Sequence, residues 1–494
     1  MDLTGKSGFG DDMTKVSRIT GATVVAFQEG HHCLLEGGEL VWKGDRIIHV
    51  GRDFPETVDE EINGQGTLVL PGLINLHVHG GIDRQVFMLD LGRRDLLGSG
   101  LLCYLTPLHQ KPPLDEKDCR TGAQFALYQL VKNGSTTFMH LGADPKECDI
   151  MAEEAEKLGV RAYIAPPVRS AYEQLDHEGR LHYRWNEKRG EQDLRTAVDF
   201  AQSLRGIAHD RIQPFLYAYT VDTCTPQLLK ESKVEARRLG VPFHIHAAYT
   251  LYEFHEILRR YGKTPIVYLD DLGILDKGTI LGHCIFTSGH RQVPYPNGDD
   301  LSILARSGVT VAHCPLVFAR RGIALDTMAR YLRQGINLGL GTDSVPFDII
   351  GEMRIASLIC KVMEQDFSVG RADEILNLVT LGGSKALGRD DLGRIEPGAK
   401  ADMTILRLES LYLLPFYDPI RALLAGGSGH LVETVIIDGK KVVTDGRVTK
   451  LDEGSLFHDV QEIGMKNLSF LVAHHWSAMK KAEIFPPSLP YYKL

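Results

Sequence analysis

The chain lacks the features that mark membrane-spanning, nucleic-acid-binding and disulfide-stabilised proteins. None of its apolar runs is long enough to cross a bilayer, and its polar, glycine-rich start does not resemble a secretory signal. The net charge is −9 and the basic residues are dispersed, which argues against nucleic-acid and membrane-surface binding. The eight cysteines include no Cys-x-x-Cys pair, which favours reduced thiols. We therefore predict a cytoplasmic enzyme that acts on a small molecule, with no nucleic-acid or membrane partner and with homo-oligomers left open.

What the chain does have is two β-rich ends around a long central part. Short apolar runs separated by Asp-Gly turns occur near both ends, so the ends are predicted to form one composite β-sandwich. A chain of 494 residues has room for a large catalytic domain beside this small unit. The predicted organisation is a disordered leader (1–16), the composite sandwich (17–70 and 388–450), a catalytic domain (71–387) and a C-terminal helical tail (451–494).

The central part alternates short apolar runs with amphipathic helical stretches, a pattern typical of repeated βα units. Eight such units predict an α/β fold, a TIM-type (β/α)8 barrel, whose active sites lie at the C-terminal ends of the strands. The first βα connection, residues 80–118, is unusually long and is predicted to be a substrate lid. The eight predicted strands are residues 67–79, 135–140, 160–165, 212–217, 242–246, 279–283, 309–313 and 337–341.

Polar residues that suit a metal site end several of these strands. His77 and His79 are two residues apart, so on a strand they face the same way, into the lumen of a barrel. His246 and His283 end the fifth and sixth strands, and Asp343 follows the eighth. Three imidazoles and one carboxylate, with a position left open for water, are the composition of a catalytic Zn²⁺ or Fe²⁺ site.

The same strand ends limit the number of metal ions. The third and fourth strands lead into residues 165–167 and 217–220, which contain no lysine, so a bridging carbamylated lysine is not available there. One ion is therefore predicted rather than two. His244 shares a face with His246 but lies two residues deeper, and it is predicted to support the site from below. His313 ends the seventh strand and either contacts substrate or has a structural role.

Short motifs spread over nearly the whole chain carry a family resemblance. They are Leu70-Pro-Gly-Leu-Ile-Asn-Leu-His-Val-His79, Asn133-Gly-Ser-Thr-Thr137, His244-Ile-His246, Gly282-His283, Ala312-His-Cys-Pro315, Gly339-Leu-Gly-Thr-Asp343, Leu381-Gly-Gly-Ser-Lys-Ala-Leu-Gly388, Ile395-Glu-Pro-Gly-Ala-Lys-Ala-Asp402 and Val435-Ile-Ile-Asp-Gly439. Taken together, they resemble the amidohydrolase superfamily, in its branch with atrazine chlorohydrolase, triazine hydrolase and S-adenosylhomocysteine deaminase.

The resemblance implies a role for each residue of the cluster. It implies that His77, His79, His246 and Asp343 bind one divalent ion, zinc in the first place and iron as the alternative. It also implies that His283 orients the hydrolytic water and stabilises the developing oxyanion. Asp343 would take the proton of that water. On this basis His283 and Asp343 are the expected catalytic residues.

The chain departs from the family pattern at positions that face substrate. Deaminases of this branch have a glutamate three residues after the fifth-strand histidine, where this chain has Tyr249. A phenol with a pKa near 10 is a poor proton shuttle at neutral pH. The Ser-Asn pair that commonly follows the seventh strand is replaced by Val317-Phe318, and Arg320 and Arg321 come next. We expect Tyr249, together with His313 and Arg320, to contact the substrate, with Arg320 able to bind a carboxylate.

Three functions fit the sequence. The first is hydrolysis of a C–N bond in a small amide, urea or cyclic amide, N-heterocyclic or acidic, in which His283 and Asp343 manage the protons. The second is a deaminase or dechlorinase of an N-heterocycle, with Glu253 or another carboxylate as the proton shuttle. The third is a binding protein that has kept the fold without catalysis. The complete set of histidines and the aspartate argues against the third function.

Overall fold

The computed structural model describes residues 14–82, 86–87, 115–175, 181–293, 295, 298–326, 328–474 and 480–492. The predicted leader lies outside the described residues up to residue 13, and the first strand begins at Val16. Most of the predicted lid over residues 80–118 also lies outside them.

Strands and helices alternate through the central part of the chain. The strands are β1 (Val16–Gln28), β2 (His31–Lys43), β3 (Arg46–Gly51), β4 (Glu60–Asn63), β5 (Thr67–Pro71), β6 (Leu73–Val78), β7 (Ser135–Leu141), β8 (Arg161–Ala165), β9 (Pro167–Val168), β10 (Ala171–Leu175), β11 (Leu181–Trp185), β12 (Ile212–Pro214), β13 (Leu216–Thr220), β14 (Phe243–Ala247), β15 (Thr279–His283), β16 (Thr310–His313), β17 (Asn337–Leu340), β18 (Met403–Arg407), β19 (Val432–Ile437), β20 (Lys440–Thr444) and β21 (Arg447–Val448). The α-helices are α1 (Glu116–Lys132), α2 (Pro145–Leu158), α3 (Glu187–Ser203), α4 (Pro226–Leu239), α5 (Leu251–Tyr261), α6 (Pro265–Asp271), α7 (Asp300–Ser307), α8 (Pro315–Ala319), α9 (Met328–Arg333), α10 (Ile349–Glu364), α11 (Ala372–Leu378), α12 (Leu381–Leu387), α13 (Pro419–Gly426), α14 (Glu453–Ala473) and α15 (Lys481–Ile484).

The central strands pair in parallel and in chain order, which confirms the α/β class. One sheet has the order β12-β8-β7-β6 and the other the order β17-β16-β15-β14-β13-β9. Prolines separate these sheets: Pro166 lies between β8 and β9, and β12 ends at Pro214. Because proline has no N–H to donate, it interrupts the ladder of hydrogen bonds. Backbone hydrogen bonds also link the end of β6 to the residues after β17, since Asp343 N–H donates to the His77 carbonyl at 2.8 Å.

Strands from both ends of the chain form one further sheet of nine strands. Its order is β21-β20-β19-β18-β5-β1-β2-β3, with β4 paired to β1. The pairing between β18 and β5, with Thr404 opposite Leu70, joins the C-terminal strands to the N-terminal ones. This sheet has its own apolar core, in which Trp42, Ile395 and Met403 are buried. Strands from the two ends are therefore joined in one hydrogen-bonded sheet, and the composite sandwich stays a prediction.

A buried ion cluster attaches this sheet to the start of β8. Arg161 is fully buried, and its Nε and Nη2 donate to the two oxygens of Asp402 at 2.9 and 3.2 Å. The same Nη2 also donates to Asp438, which pairs with Lys400 at 3.3 Å and with Arg211 at 3.5 Å. The positive charges are thus matched by two buried carboxylates, as burial of ions requires.

The expected C-terminal helices are α14 and α15. The N-terminal residue of α14, Glu453, accepts a hydrogen bond from the Tyr128 hydroxyl of α1 at 2.7 Å, and Lys466 pairs with Asp118. These contacts place α14 on the helix that precedes β7. Among the described residues, no helix is both long enough and apolar enough to cross a membrane.

Candidate metal centre

The parallel strands bring the predicted metal ligands together at their C-terminal ends. His77 belongs to β6, His246 to β14 and His283 to β15, while Asp343 lies three residues after β17. One ligand atom from each of His77, His246 and His283 lies within 4.8 Å of the others, and the same is true of His77, His79 and Asp343. All of them except His79, which is half-buried, are buried. The structure therefore brings together all five residues of the predicted cluster.

Backbone carbonyls fix the orientation of two imidazoles. Nδ1 of His79 lies 3.0 Å from the Leu141 carbonyl oxygen, and Nδ1 of His246 lies 2.6 Å from the Tyr219 carbonyl oxygen. A carbonyl only accepts, so we assign the proton of each ring to Nδ1. The two Nε2 atoms then present lone pairs to each other, 3.3 Å apart. Two nitrogen ligands of a tetrahedral ion at about 2.0–2.1 Å are separated by about 3.3 Å as well.

His77 belongs to the same cluster as His79 and His246, and one of its ring nitrogens has no hydrogen-bond partner in the protein. Its Nδ1 lies 3.2 Å from Nε2 of His244, and its Nε2 is buried without a hydrogen bond. An unpaired buried polar atom is costly unless it has a function. The donor set of imidazole Nε2 atoms and one carboxylate fits a divalent ion such as Zn²⁺. His244 supports His77 from below, in the position expected from its place on β14.

Burial keeps the histidines of this cluster neutral. Burial, followed by the neighbouring histidines, holds the pKa of both His77 and His283 well below the usual 6.5. Burial likewise lowers the pKa of His246 to about 4, against the opposing effect of its hydrogen bond to the Tyr219 carbonyl. A neutral imidazole has a free lone pair at neutral pH, which is what a metal ligand requires.

Glycines allow the strands to approach His77 closely. A Cβ on Gly282 would lie 2.9 Å from Cε1 of His77, and a Cβ on Gly341 would lie 2.5 Å from Cβ of His77. Neither distance is tolerable for a real side chain. Asn75 adds a direct link across the same gap, because its side chain donates to the Thr342 hydroxyl at 2.9 Å and accepts from Thr342 N–H at 3.1 Å.

The backbone is turned sharply where His283 and Asp343 leave their strands. Their φ angles are +71° and +61°, in the left-handed region that non-glycine residues rarely adopt. Asp343 is held there from both sides, since its N–H donates to the His77 carbonyl at 2.8 Å and its carbonyl accepts from His79 N–H at 2.7 Å. The turn brings Oδ2 of Asp343 to 3.5 Å from Nε2 of His283. A carboxylate and an imidazole are thus available side by side for proton transfer.

Of the three residues expected to contact substrate, Tyr249 lies beside the cluster, His313 ends the strand next to that of His283, and Arg320 lies at the surface. The Tyr249 ring is 5.8 Å from that of His246 and 6.3 Å from that of His283, and burial raises its pKa well above 10. His313 is buried at the end of β16, and its Nδ1 has no hydrogen-bond partner. Arg320 is exposed, and its Nη1 donates to the Val345 carbonyl at 2.8 Å.

The carboxylate of Glu253 accepts hydrogen bonds from the chain itself, which argues against its use as the proton shuttle. Its two oxygens accept from the N–H groups of Ala248 and Tyr249 at 2.9 and 2.8 Å. Its own N–H donates to the Thr250 hydroxyl at 3.0 Å. Glu253 therefore lies in the first turn of helix α5, which Thr250 caps, and holds the turn that carries Tyr249. The sequence Thr250-Leu-Tyr-Glu253 contained this signal, since it matches the pattern of a capping box.

Residues that follow the seventh strand also lie at the site. Phe318 has its ring 4.7 Å from that of His283, and the neighbouring Arg321 lies 5.8 Å from the Phe318 ring. The Cys314 sulfur lies within 4.8 Å of ligand atoms of His283 and Asp343. The sequence places Phe318 at a position that faces substrate, but the contact of its ring with His283 and the proximity of Cys314 to Asp343 join segments that are apart in the chain.

The comparison with known families assigns the chain to a class of enzyme. The model of the amidohydrolase family matches residues 68–442, and the chain belongs to that family. It is 29% identical over 434 residues to a 5'-deoxyadenosine deaminase of Methanosarcina mazei, covering 87% of this chain and 93% of that protein. It is 28% identical over 440 residues to a 5-methylthioadenosine/S-adenosylhomocysteine deaminase of Pyrococcus abyssi, covering 88% and 96%. The expected class, a hydrolase of carbon–nitrogen bonds other than peptide bonds, is confirmed.

Solved structures share the fold. An adenosine deaminase from Xanthomonas campestris with bound zinc superposes with a TM-score of 0.79 at 20% identity, covering 92% of this chain and 99% of that chain. Atrazine chlorohydrolase from Arthrobacter aurescens in complex with zinc gives a TM-score of 0.74 at 23% identity, covering 91% and 100%. At this level of identity the likeness concerns the fold alone.

Proposed function

We propose that the chain is a metal-dependent hydrolase whose eight central strands close into a (β/α)8 barrel around one divalent ion. His77, His79, His246 and Asp343 would hold the ion, which we take to be zinc because related folds carry zinc, with iron as the alternative. The observation that carries the proposal is the convergence of Nε2 atoms on one point, with their Nδ1 atoms occupied by other groups. Only a ligand that accepts several lone pairs explains this arrangement.

The residues around the ion have separate tasks. When bound, the ion supplies an acidified water molecule and polarises the bond to be cleaved. Asp343 accepts a proton from the attacking water through the oxygen that faces His283. His283, neutral because it is buried, orients that water and donates a hydrogen bond to the oxyanion that develops. Tyr249 and His313 orient the substrate, and Arg320 contributes only if substrate draws its side chain inward.

We propose that the bond cleaved is a C–N bond of a small N-heterocyclic molecule, first of all a cyclic amide or urea. This proposal is supported by the absence of a carboxyl group at position 249, where deaminases of this branch have their proton shuttle. Position 249 carries a phenol, and the nearby carboxylate of Glu253 accepts hydrogen bonds from backbone N–H groups. Expulsion of ammonia from an aromatic ring requires a proton on the ring nitrogen, which a carboxyl group at this position would deliver. A ring amide is cleaved with the two groups that the site does contain, His283 and Asp343.

A deaminase of an N-heterocycle is the second candidate. It is favoured by the similarity to deaminases of adenosine derivatives over more than four fifths of this chain. In that case the proton would have to reach the ring by way of Tyr249 or through Asp343 alone. Both candidates use the same metal centre, so they differ in the leaving group rather than in the fold.

The test is a panel of adenosine derivatives, triazines and cyclic amides or ureas, supplied to the zinc-loaded enzyme. Ammonia and the new product are measured for each compound. Formation of a ring-opened carboxylate without ammonia supports the first candidate, whereas stoichiometric ammonia with an intact ring supports the second. A chain that holds no metal and turns over none of these compounds would be a binding protein and would contradict the proposal.

A further inference from the structure

A histidine–carboxylate pair lies directly behind the turn that follows His79. His140, next to the last residue of β7, is buried, and its Nε2 lies 2.9 and 3.0 Å from the two oxygens of Glu147. Its Nδ1 accepts from the N–H of Gly80 at 3.2 Å. Glu147 also accepts from Ala143 N–H at 3.1 Å, so its carboxylate ties the start of α2 to the end of β7.

These contacts fix the proton on the His140 ring. Gly80 N–H is a donor, so the Nδ1 atom that faces it must carry a lone pair. The proton therefore resides on Nε2, where it is donated to the carboxylate of Glu147. Without Glu147, the other tautomer would become accessible and would turn an N–H toward the N–H of Gly80. The Glu147 carboxylate thereby determines whether Nδ1 of His140 can accept the hydrogen bond from Gly80 N–H.

Gly80 follows His79 in the chain. The hydrogen bond from Gly80 N–H to Nδ1 of His140 therefore also restrains the backbone of the turn that carries His79. The His79 side chain is fixed on the same strand, because its Nδ1 donates to Leu141, the residue after His140. The space is tight as well, since a Cβ on Gly80 would lie 2.7 Å from Cε of Met151. The main chain after His79 therefore has few ways to move as long as His140 and Glu147 are in place.

We propose that His140 and Glu147 are positioning residues that set the metal affinity of the centre by holding the peptide between His79 and Gly80. The inference rests on the proposed function, because it takes His79 to be a ligand. Neither residue contacts the ion or the substrate. Their effect passes through the chain of contacts from Glu147 to His140 and from His140 to Gly80, an outer layer that fixes the ligand in position before the metal arrives.

The same residues are not a second metal site. His140, Glu147 and Cys148 offer three ligand atoms within 4.8 Å. However, Nδ1 of His140 is occupied by Gly80 N–H, and the Glu147 carboxylate is shared between Nε2 and Ala143 N–H. The geometry fits a support for His79 better than a cage for an ion.

The experiment measures Zn²⁺ affinity by competition with a chelating indicator, and the melting temperature of the metal-free protein, for a set of variants. His140→Leu removes both hydrogen bonds and should weaken Zn²⁺ binding about 10–100-fold, the usual cost of losing such support. His140→Asn retains an acceptor near Gly80 N–H and should recover most of the affinity. Glu147→Ala should weaken binding in the same direction and serves as the main test if His140→Leu does not fold.

The matched control is Glu154→Ala on the same helix. Glu154 is more deeply buried than Glu147, and it pairs with Arg120 at 2.6 Å and with Lys157 at 2.7 Å rather than with His140. It should lower the melting temperature and leave Zn²⁺ affinity unchanged. The inference is overturned if Glu147→Ala binds Zn²⁺ as wild type does, or if Glu154→Ala loses as much affinity as Glu147→Ala. Failure of the proposed function looks different, because His79→Ala would then leave Zn²⁺ binding unaltered.

Discussion

The two ends of the parallel strands both bury polar groups, but they do so in different ways. At the N-terminal end of β8, the Arg161 guanidinium faces the carboxylates of Asp402 and Asp438, and charge is balanced by charge. At the opposite ends of the strands, neutral imidazoles crowd together, and Nε2 of His77 has no partner in the protein. At the first end the buried charges have partners of opposite sign within the protein, although Nη1 of Arg161 makes no hydrogen bond; at the second end the imidazoles leave lone pairs that a bound ion can accept.

This difference separates stability from function along the same strands. Paired buried ions attach the terminal sheet to the central parallel strands and contribute to the fold. Unpaired neutral nitrogens, left-handed backbone at His283 and Asp343, and close contacts at glycine stabilise nothing by themselves. The comparison predicts that changes at one end should alter catalysis and metal binding, and that changes at the other should alter stability alone.

The largest effect is expected for Asp343→Asn. The amide is close in shape but cannot take the proton of the attacking water, and it is a weaker metal ligand. We expect kcat/KM to fall by about 10³-fold or more, with the fold retained. The measurement is kcat/KM with metal content determined on the same sample. Activity within tenfold of wild type would remove Asp343 from the mechanism.

Arg161→Met should have the next largest effect, and on stability only. It leaves Asp402 and Asp438 buried without their main partner, which costs about 3–5 kcal/mol of unfolding free energy. Denaturant unfolding measures the loss, and Zn²⁺ affinity should stay unchanged. Arg371→Met provides the control, because Arg371 pairs with Asp373 at the surface and its loss should cost less than about 1 kcal/mol. A weakened metal site in Arg161→Met would contradict the division between the two ends.

Tyr249→Phe should have a moderate effect. The phenol does not cycle a proton near neutral pH, since burial raises its pKa well above 10. Loss of its hydrogen bond to substrate should therefore reduce kcat/KM by about 1–3 kcal/mol in activation free energy, while the metal is retained. If Tyr249→Phe is as inactive as Asp343→Asn and still holds its metal, the phenol is a catalytic acid and the deaminase candidate gains support.

The smallest effect is expected for Asp391→Asn, and it concerns the stability of the fold at acidic pH. Burial would raise the pKa of Asp391, but the guanidinium groups of Arg389 and Arg46 outweigh it and hold the pKa at about 2. A carboxylate with a depressed pKa in the folded state stabilises the fold above its ordinary pKa of 3.8 and loses this contribution as the pH falls toward 2. The variant should thus be slightly less stable at pH 7 and show a shallower loss between about pH 4 and pH 2. An identical acid profile for both proteins would show that the carboxylate contributes nothing.

The sequence predicted the strands that carry the cluster because buried parallel strands leave a strong local signal. β15 runs from Thr279 to His283, as expected from its apolar pattern. The hairpin of β10 and β11 was missed, since its residues are largely polar and charged. So was α3, which precedes the fourth predicted strand.

The site could be predicted as a list of residues but not as a set of contacts. The residues that we propose as metal ligands follow from the strand ends and the family motifs. The supporting contacts do not, because Asn75 meets Thr342 and Gly80 meets His140 only after strands distant in the chain have paired. Arg320 is a further example, since the sequence places it just after the seventh strand, but its hydrogen bond to the Val345 carbonyl depends on the approach of a distant segment.

The central claim is that the unpaired end of the strands is a centre for one divalent ion. Elemental analysis of the gently purified protein tests it most directly, together with His246→Ala and with Arg161→Met as the stability control. We expect about one ion per chain in wild type and in Arg161→Met, and an empty site in His246→Ala. Two tightly held ions, or an ion that His246→Ala still retains, would contradict the account.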